Sequence, residues 1–300
     1  MSGNRPNKPR RHHYLPRFYM RRFTCSDDEH KAMVVTAHQN DLVLDRKSID
    51  RIGYEPNLYD FIENGSGSSI ESELNERIET PFSKSLAWTK IESGNAARLD
   101  MADGLSIYGF AQHLLRRNLA ALCFMKKRHA DFLAGKMADF TEEEREIHQY
   151  IEEISGGPHT LFREGALETL LPEDAFAANV MICQSPVPFR TSTNPTLAIS
   201  YPGRDSIFGE MFNSLRTWWL PLDRHWGAFI VVGGPAGFTK EEVSEDFARV
   251  LNRQYLSQLT LGNARYMIAD DPFLEADLEW AGFAFEHSTT RGFRYRLRSD

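Results

Sequence analysis

Ile70, Leu74, Ile78, Phe82 and Leu86 recur every four residues. That spacing sets their side chains along one stripe of a helix, and such a stripe needs a partner to bury it. Pro81 lies inside the pattern. It lacks an N–H and its ring crowds the preceding turn, so it predicts either a kink or a second helix with Thr80 as its cap. Gly94 ends the segment. A further helical stretch is expected over about Leu99–Lys136. Thr141-Glu142-Glu143-Glu144 has the form of a capping box opening a helix that runs to about Ile154.

β-like texture flanks this helical middle. Lys31–Thr36 and Asp41–Asp45 are rich in Val and Leu, and the polar His38-Gln39-Asn40 between them predicts a hairpin. The run from Asn64 to Ser69 is expected to be a loop, with Ser69 as an N-cap. After Pro172, Val180–Cys183, Thr196–Ser200, Trp218–Leu222 and Ala228–Val232 are short β-like runs. Thr239 is expected to cap a last helix ending near Leu261. This order of elements predicts an α+β fold, with a central helical layer over about 70–180 packed against strands from both ends of the chain. The expected organisation is a flexible basic leader, 1–11, and one large α+β domain, 12–300, whose part beyond about 180 is mixed β/α. Three hundred residues suffice for a sizeable core without staples.

Charge is uneven. The formal net charge is 35 − 42 = −7. Residues 1–24 carry six Arg, one Lys and no acid, so they hold +7 and the remainder −14. A basic arm on an acidic body points to an anionic partner or a docking contact. No stretch approaches the roughly 20 apolar residues of a membrane span, and no apolar run follows the basic start as in a secretory signal. Cys25, Cys123 and Cys183 are too widely spaced for a zinc knuckle or disulfide framework, which suits a reducing, cytoplasmic compartment.

Familiar catalytic fingerprints are missing: GxxxxGKS, GxGxxG after a strand, GxSxG, HExxH and CxxC. Gly233-Gly234-Pro235-Ala236-Gly237 is expected between a strand and a helix, but Pro235 removes an amide that a phosphate would use. Arg11-His12-His13-Tyr14 sets two imidazoles beside a guanidinium and a phenol, a group able to contact phosphate, bind a metal, move a proton or simply dock the arm. Glu71, Glu73, Glu76 and Glu79 share a helix, so two of them could hold Mg²⁺ or act as acid and base, or could form a solvated face. Gln112 and Arg116 are four apart among Ile107, Tyr108, Phe110, Leu114 and Leu115. An arginine pointing into that surface needs an anionic partner, unless it snorkels to solvent. Phe189 to Pro195 reads as a polar turn at a strand end.

In their order along the chain, these segments resemble one family. His13-Tyr14-Leu15-Pro16-Arg17-Phe18-Tyr19-Met20-Arg21-Arg22-Phe23 is similar to the HYxPxFYLRxF opening of the bacterial domain-of-unknown-function family 4238. Glu55 to Tyr59 resembles its ExxxY segment, Glu71 or Glu73 with Glu79 its glutamate helix, and Gln112 with Arg116 its QxxxR helix. Thr191-Ser192-Thr193-Asn194-Pro195 resembles a TSDNP turn with Thr193 in place of Asp, and Pro221-Leu222 a PL strand. The resemblance covers about 12–270 and implies a mostly intracellular protein.

Two functional expectations follow. The first is a phosphodiester-cleaving, nuclease-like enzyme of a bacterial defence or toxin system, with the basic arm 1–24 steering nucleic acid. His13 would be acid or base, Arg116 the phosphate clamp, and Glu79 a base or Mg²⁺ ligand. Arg11, Tyr14, Gln112 and Asn194 would bind substrate. The second is a non-catalytic binding or sensor subunit, working with a partner protein, whose polar residues form a structural network. Convergence of His13, Glu79, Gln112, Arg116 and Asn194 in a cleft favours the first; a closed interior favours the second.

Overall fold

The apolar stripe is buried where Ile70, Leu74 and Phe82 lie, and half-buried at Ile78. It belongs to one helical run: α2 (Glu71–Leu74), a π turn (Asn75–Glu79) and α3 (Thr80–Ser83). Pro81 explains the π turn. It cannot donate to the carbonyl one α-turn back, so the ladder widens and the Thr80 amide reaches Asn75 O. The stripe stops short of Leu86, which is 76% exposed. Ser85 starts a new helix there, its side chain accepting the Trp88 amide, and α4 (Leu86–Glu92) buries Ala87, Trp88 and Ile91 instead.

The computed structural model describes residues 11–63, 66–153, 157–168, 178–199, 216–233, 235–289 and 292–298. Residues 1–10 of the leader, Pro172 and Ser200 lie outside them. Arg11, placed in the leader by the sequence, is instead the first residue of β1 (Arg11–His13), paired antiparallel with β4 (Tyr54–Pro56). α1 (Arg17–Met20) follows. The arm from 12 to 23 is anchored: Tyr19 is fully buried and its hydroxyl bonds Thr191 Oγ1 at 2.8 Å and Pro221 O at 2.9 Å. The hairpin is β2 (Lys31–His38) and β3 (Asp41–Ser48), with Gln39 at φ 53° in the turn. Residues 66–69, expected as loop, pair as β6 (Ser66–Ser69) with β5 (Asp60–Glu63).

The stretch expected as one helix over 99–136 is two, α5 (Met101–Arg116) and α6 (Leu119–Leu133). Asn118 divides them, its Oδ1 taking the Ala121 amide at 2.7 Å as an N-cap. Thr141 and Glu144 form the expected reciprocal box at the start of α7 (Glu142–Glu153), and α8 is Pro158–Leu167.

The later strands are β7 (Ala178–Gln184), β8 (Thr191–Ser192), β9 (Leu197–Ile199), β10 (Arg216–Pro221), β11 (Trp226–Val232) and β12 (Gly237–Glu242). The segment after Gly233 therefore enters a strand parallel to β7, not a helix, and Thr239 lies inside that strand. Ser244 caps α9 (Glu245–Thr260), accepting the Phe247 amide. β13 (Met267–Ile268), α10 (Leu274–Trp280) and the hairpin β14 (Phe283–Ser288) and β15 (Gly292–Leu297) complete the described chain. Nothing in the sequence pattern flagged that last hairpin.

Two larger sheets organise the α+β fold. One runs β12-β7-β11-β10-β9, the other β14-β15-β3-β2-β13-β8. Adjacent residues on β10 face opposite ways, as strand geometry requires. Trp218 joins the cluster containing Leu74, Trp88 and Phe110 and stacks on Tyr108 at 5.8 Å. Trp219 joins the other cluster, with Leu251 and Tyr255 of α9 and with Val35 and Leu42 of the second sheet. α9 lies on the Trp219 side with residues of both sheets, while Ala32, Val34 and Ile268 of the second sheet join the helical cluster. Both sheets mix strands distant in sequence, and β1 is held over the helical layer.

Candidate functional site

The side chains that β1 and the helices bring together surround Arg117. This residue follows α5 directly as its C-cap and is fully buried. Its Nη1 donates to Glu79 Oε1 at 2.6 Å and to His113 Nε2 at 2.8 Å, and its Nη2 donates to the His13 carbonyl. The guanidinium also lies 5.8 Å from the Tyr59 ring centre. Burial works against its charge, but Tyr59 and Glu79 outweigh that, and its pKa lies above the ordinary arginine value. His113 is the reverse case. Burial, with Arg117 and Arg116 nearby, drives its pKa well down, so the neutral ring accepts from Arg117.

Local structure explains the convergence. The π turn places Glu79, and His113 and Arg117 share a helix face four residues apart. His13 offers its main chain as well as its ring: its carbonyl takes Arg117 and its amide donates to the Glu71 carboxylate. Glu71 is half-buried at the start of α2. Burial raises its pKa to about 7, with Arg117 opposing and Glu79 reinforcing the rise. Burial lowers the His13 imidazole to about 4, helped by Arg17. His13 Nε2 and Glu71 Oε2 are buried atoms without a hydrogen-bond partner. Near pH 7 the cluster therefore holds a neutral imidazole beside a half-protonated carboxyl, over an Arg117–Glu79 ion pair. Its floor is closed and its rim, at His13, Glu71 and Glu79, is partly open.

Several residues singled out from sequence lie elsewhere. Arg116 points away and pairs with Glu168 at 2.8 Å. Gln112 bonds the Tyr108 hydroxyl at 3.1 Å. This pair occupies the helix face next to that of His113 and Arg117, about 100° around. Asn194 sits at the turn after β8, bonding Asn263 O at 3.4 Å. Arg11 is exposed over the Tyr54 ring at 5.2 Å, and Tyr14 is buried beside Thr193. Thr193 accepts the Arg265 and Tyr266 amides on Oγ1, at 2.9 and 3.1 Å, as an Asp carboxylate in that turn would. His12 is structural: it stacks on Tyr59 at 5.6 Å and its Nδ1 accepts the Tyr59 amide. Glu73 pairs with Arg77 and Glu76 is exposed, so half of the glutamate row is a solvated face.

Sequence reasoning gave no site role to Arg117, His113 or Tyr59, although Tyr59 ends the ExxxY segment. The requirement that an arginine in apolar surroundings find a carboxylate was the right signal, applied one position early. A magnesium site at Glu79 does not fit, because that carboxylate is bonded to Arg117. Among the described residues no group of three or more His, Cys, Asp or Glu side chains is placed to hold a metal ion. Among them, too, no helix is long and apolar enough to cross a membrane.

Comparison with known proteins gives one family. The family described as "Protein of unknown function (DUF4238)" matches residues 11–231, which include every member of the Arg117 cluster. No curated protein and no solved structure matches the chain. With 11–231 of its 300 residues matched, the chain belongs to the DUF4238 family.

Proposed function

We propose that the chain cleaves phosphodiesters by general acid–base chemistry at the His13–Glu71 pair, as a nuclease-like enzyme of a bacterial defence or toxin system. One observation carries the proposal: His13 Nε2 and Glu71 Oε2 are buried atoms without hydrogen-bond partners, on two half-buried residues that the His13 main chain links next to a fixed ion pair. Neutral His13 takes the proton of the attacking hydroxyl as its oxygen bonds to phosphorus. Protonated Glu71 gives its proton to the leaving oxygen as the other P–O bond breaks. Glu79 and Arg117 hold the two groups in place rather than touching the phosphate. Arg17, 57% exposed, paired with Asp50 at 2.9 Å and acting electrostatically on both His13 and Glu71, takes the role expected of Arg116.

The test is cleavage of single-stranded RNA and DNA oligonucleotides by purified wild type, Glu71→Gln and His13→Ala, beside growth on expression. Cleavage by wild type, lost in both variants with little change in melting, is the expected result. Wild type that cleaves neither, or variants as active as wild type, overturn the proposal. The burial of Arg117 and His113 favours a second reading, a non-catalytic binding subunit locked by this network. On that reading the variants lose stability and no activity exists to lose.

A further inference from the structure

Just after β1, Tyr14 lines a cavity of ≈ 280 Å³ with Leu119, Ala120, Thr193 and Arg265. A larger cavity of ≈ 460 Å³ shares Ala120 and Asn263 with it, so the two form one groove. Together they fall within the about 300–1,000 Å³ typical of small-molecule sites. The two ends of the groove differ in chemistry. The small end is the N-terminus of α6. Asn118 satisfies the Ala121 amide, which leaves the first amides, Leu119 and Ala120, without intrahelical acceptors. Such a helix end attracts anions. Tyr14 is an independent sign of a ligand. It is 2% exposed, yet its hydroxyl makes no hydrogen bond of proper geometry. Its neighbour, Thr193 Oγ1, already accepts two amides. Burial raises the Tyr14 phenol to about 12, which keeps it a donor. Arg265 supplies a cation, held at 2.8 Å by Glu55.

Among the described residues, none that lines the large end is charged. Asn194, Gln254, Gln258 and Asn263 line it with carboxamides, and Phe124, 64% exposed, adds a ring. Asn194 Oδ1 is buried without a partner. Neutral amides that both donate and accept, beside an aromatic face, suit the edge and plane of a nucleobase.

We propose that this groove binds a nucleoside monophosphate, its phosphate at the α6 N-terminus against Tyr14 and Arg265 and its base among the carboxamides. The proposal does not depend on the acid–base reading of the His13 cluster.

Calorimetric titration of the full chain with AMP, GMP, CMP and UMP tests it, with the parent nucleosides, inorganic phosphate and a 5′-phosphorylated dinucleotide as further arms. At least one monophosphate should bind saturably, and its nucleoside roughly tenfold or more weakly. Tyr14→Phe and Asn194→Ala should each weaken binding. Glu55→Gln should tighten it by freeing Arg265, a gain that a structural role for these residues does not predict. Tighter binding of the dinucleotide identifies the phosphate as a strand end and supports the same site. No heat with any monophosphate, equal binding of nucleosides, or wild-type affinity in both Tyr14→Phe and Asn194→Ala overturns the proposal. Asn194→Ala and Glu55→Gln decide the matter if Tyr14→Phe fails to fold.

Discussion

Arg117 and Glu79 lie 38 positions apart and meet at 2.6 Å, and this pair joins the end of α5 to the π turn of the preceding helical run. The Arg117 side chain is 1% exposed and that of Glu79 20%. The pair is thus screened on one side only, and it also fixes the main chain of β1 through the His13 carbonyl.

Neighbouring arginines should therefore behave differently. Arg117→Ala leaves Glu79 and the His13 carbonyl without their donor, and losing one partner of a buried pair costs about 3–5 kcal/mol. Arg116→Ala removes only a partly exposed contact with Glu168, worth about 0–1 kcal/mol. Urea unfolding of the two variants checks the contrast. Equal losses would show that the buried pair does not hold these elements together.

The apolar stripe gives a second contrast. Leu74 is 1% exposed in the core cluster, so Leu74→Ala should cost about 2–5 kcal/mol. Leu86 belongs to the same four-residue spacing but is 76% exposed, and Leu86→Ala should change stability by at most about 0.5 kcal/mol. Midpoints of chemical denaturation distinguish the two, and a large loss for Leu86→Ala would mean its helix face is covered in solution.

Those two leucines show what the sequence conveyed and where it stopped. Spacing alone cannot see that Ser85 caps a new helix and turns Leu86 outward, because capping acts on one hydrogen bond while periodicity averages over many turns. Asn118 was invisible for the same reason, since a cap inside an apolar run breaks no pattern. The hairpin 31–48 and most later strands were legible, because alternation and turn residues are local signals. At the site, His13 and Glu79 were legible as residue types able to do chemistry. Arg117 was not separable from Arg116, since a single 100° step decides which side chain faces inward. The π turn that aims Glu79 depends on a missing hydrogen bond at Pro81, whose consequence as kink, new helix or π turn is settled only by packing.

A different lock joins the matched region to the chain beyond it. Arg190 is fully buried and donates to Asp271 at 2.6 and 2.9 Å, and it lies 2.9 Å from Asp277, which Arg253 also reaches at 2.8 Å. This ties the segment entering β8 to α9, α10 and the segment before α10. Arg190→Ala leaves two buried carboxylates facing each other, so a loss of about 3–5 kcal/mol is expected. Arg190→Lys should recover only part of it, because an ammonium cannot span both carboxylates as the guanidinium fork does. Full recovery by lysine in thermal melts would rule out the fork geometry as the source of stability.

The His13–Glu71 pair should leave a signature in the pH dependence of stability even without a known substrate. The two groups work in opposite directions. Glu71 is raised from the ordinary 4.5 to about 7, so the folded state holds a proton that the unfolded chain has released. Its contribution is full below about 4.5 and is lost as pH rises through about 7. His13 is lowered from 6.5 to about 4, so its contribution is full above about 6.5 and is lost as pH falls through about 4. The two limbs overlap between about pH 4.5 and 6.5, where they oppose and largely cancel in wild type, so each is read from its own variant. Glu71→Gln cannot ionise, so its stability relative to wild type should rise steadily between about pH 5 and pH 8. His13→Asn should gain on wild type in the other direction, as pH falls from about 6.5 to about 4. Denaturation midpoints measured at several pH values give both curves. A difference between Glu71→Gln and wild type that stays constant across that range would place the Glu71 pKa near its ordinary value and remove the proton donor that the proposed mechanism requires.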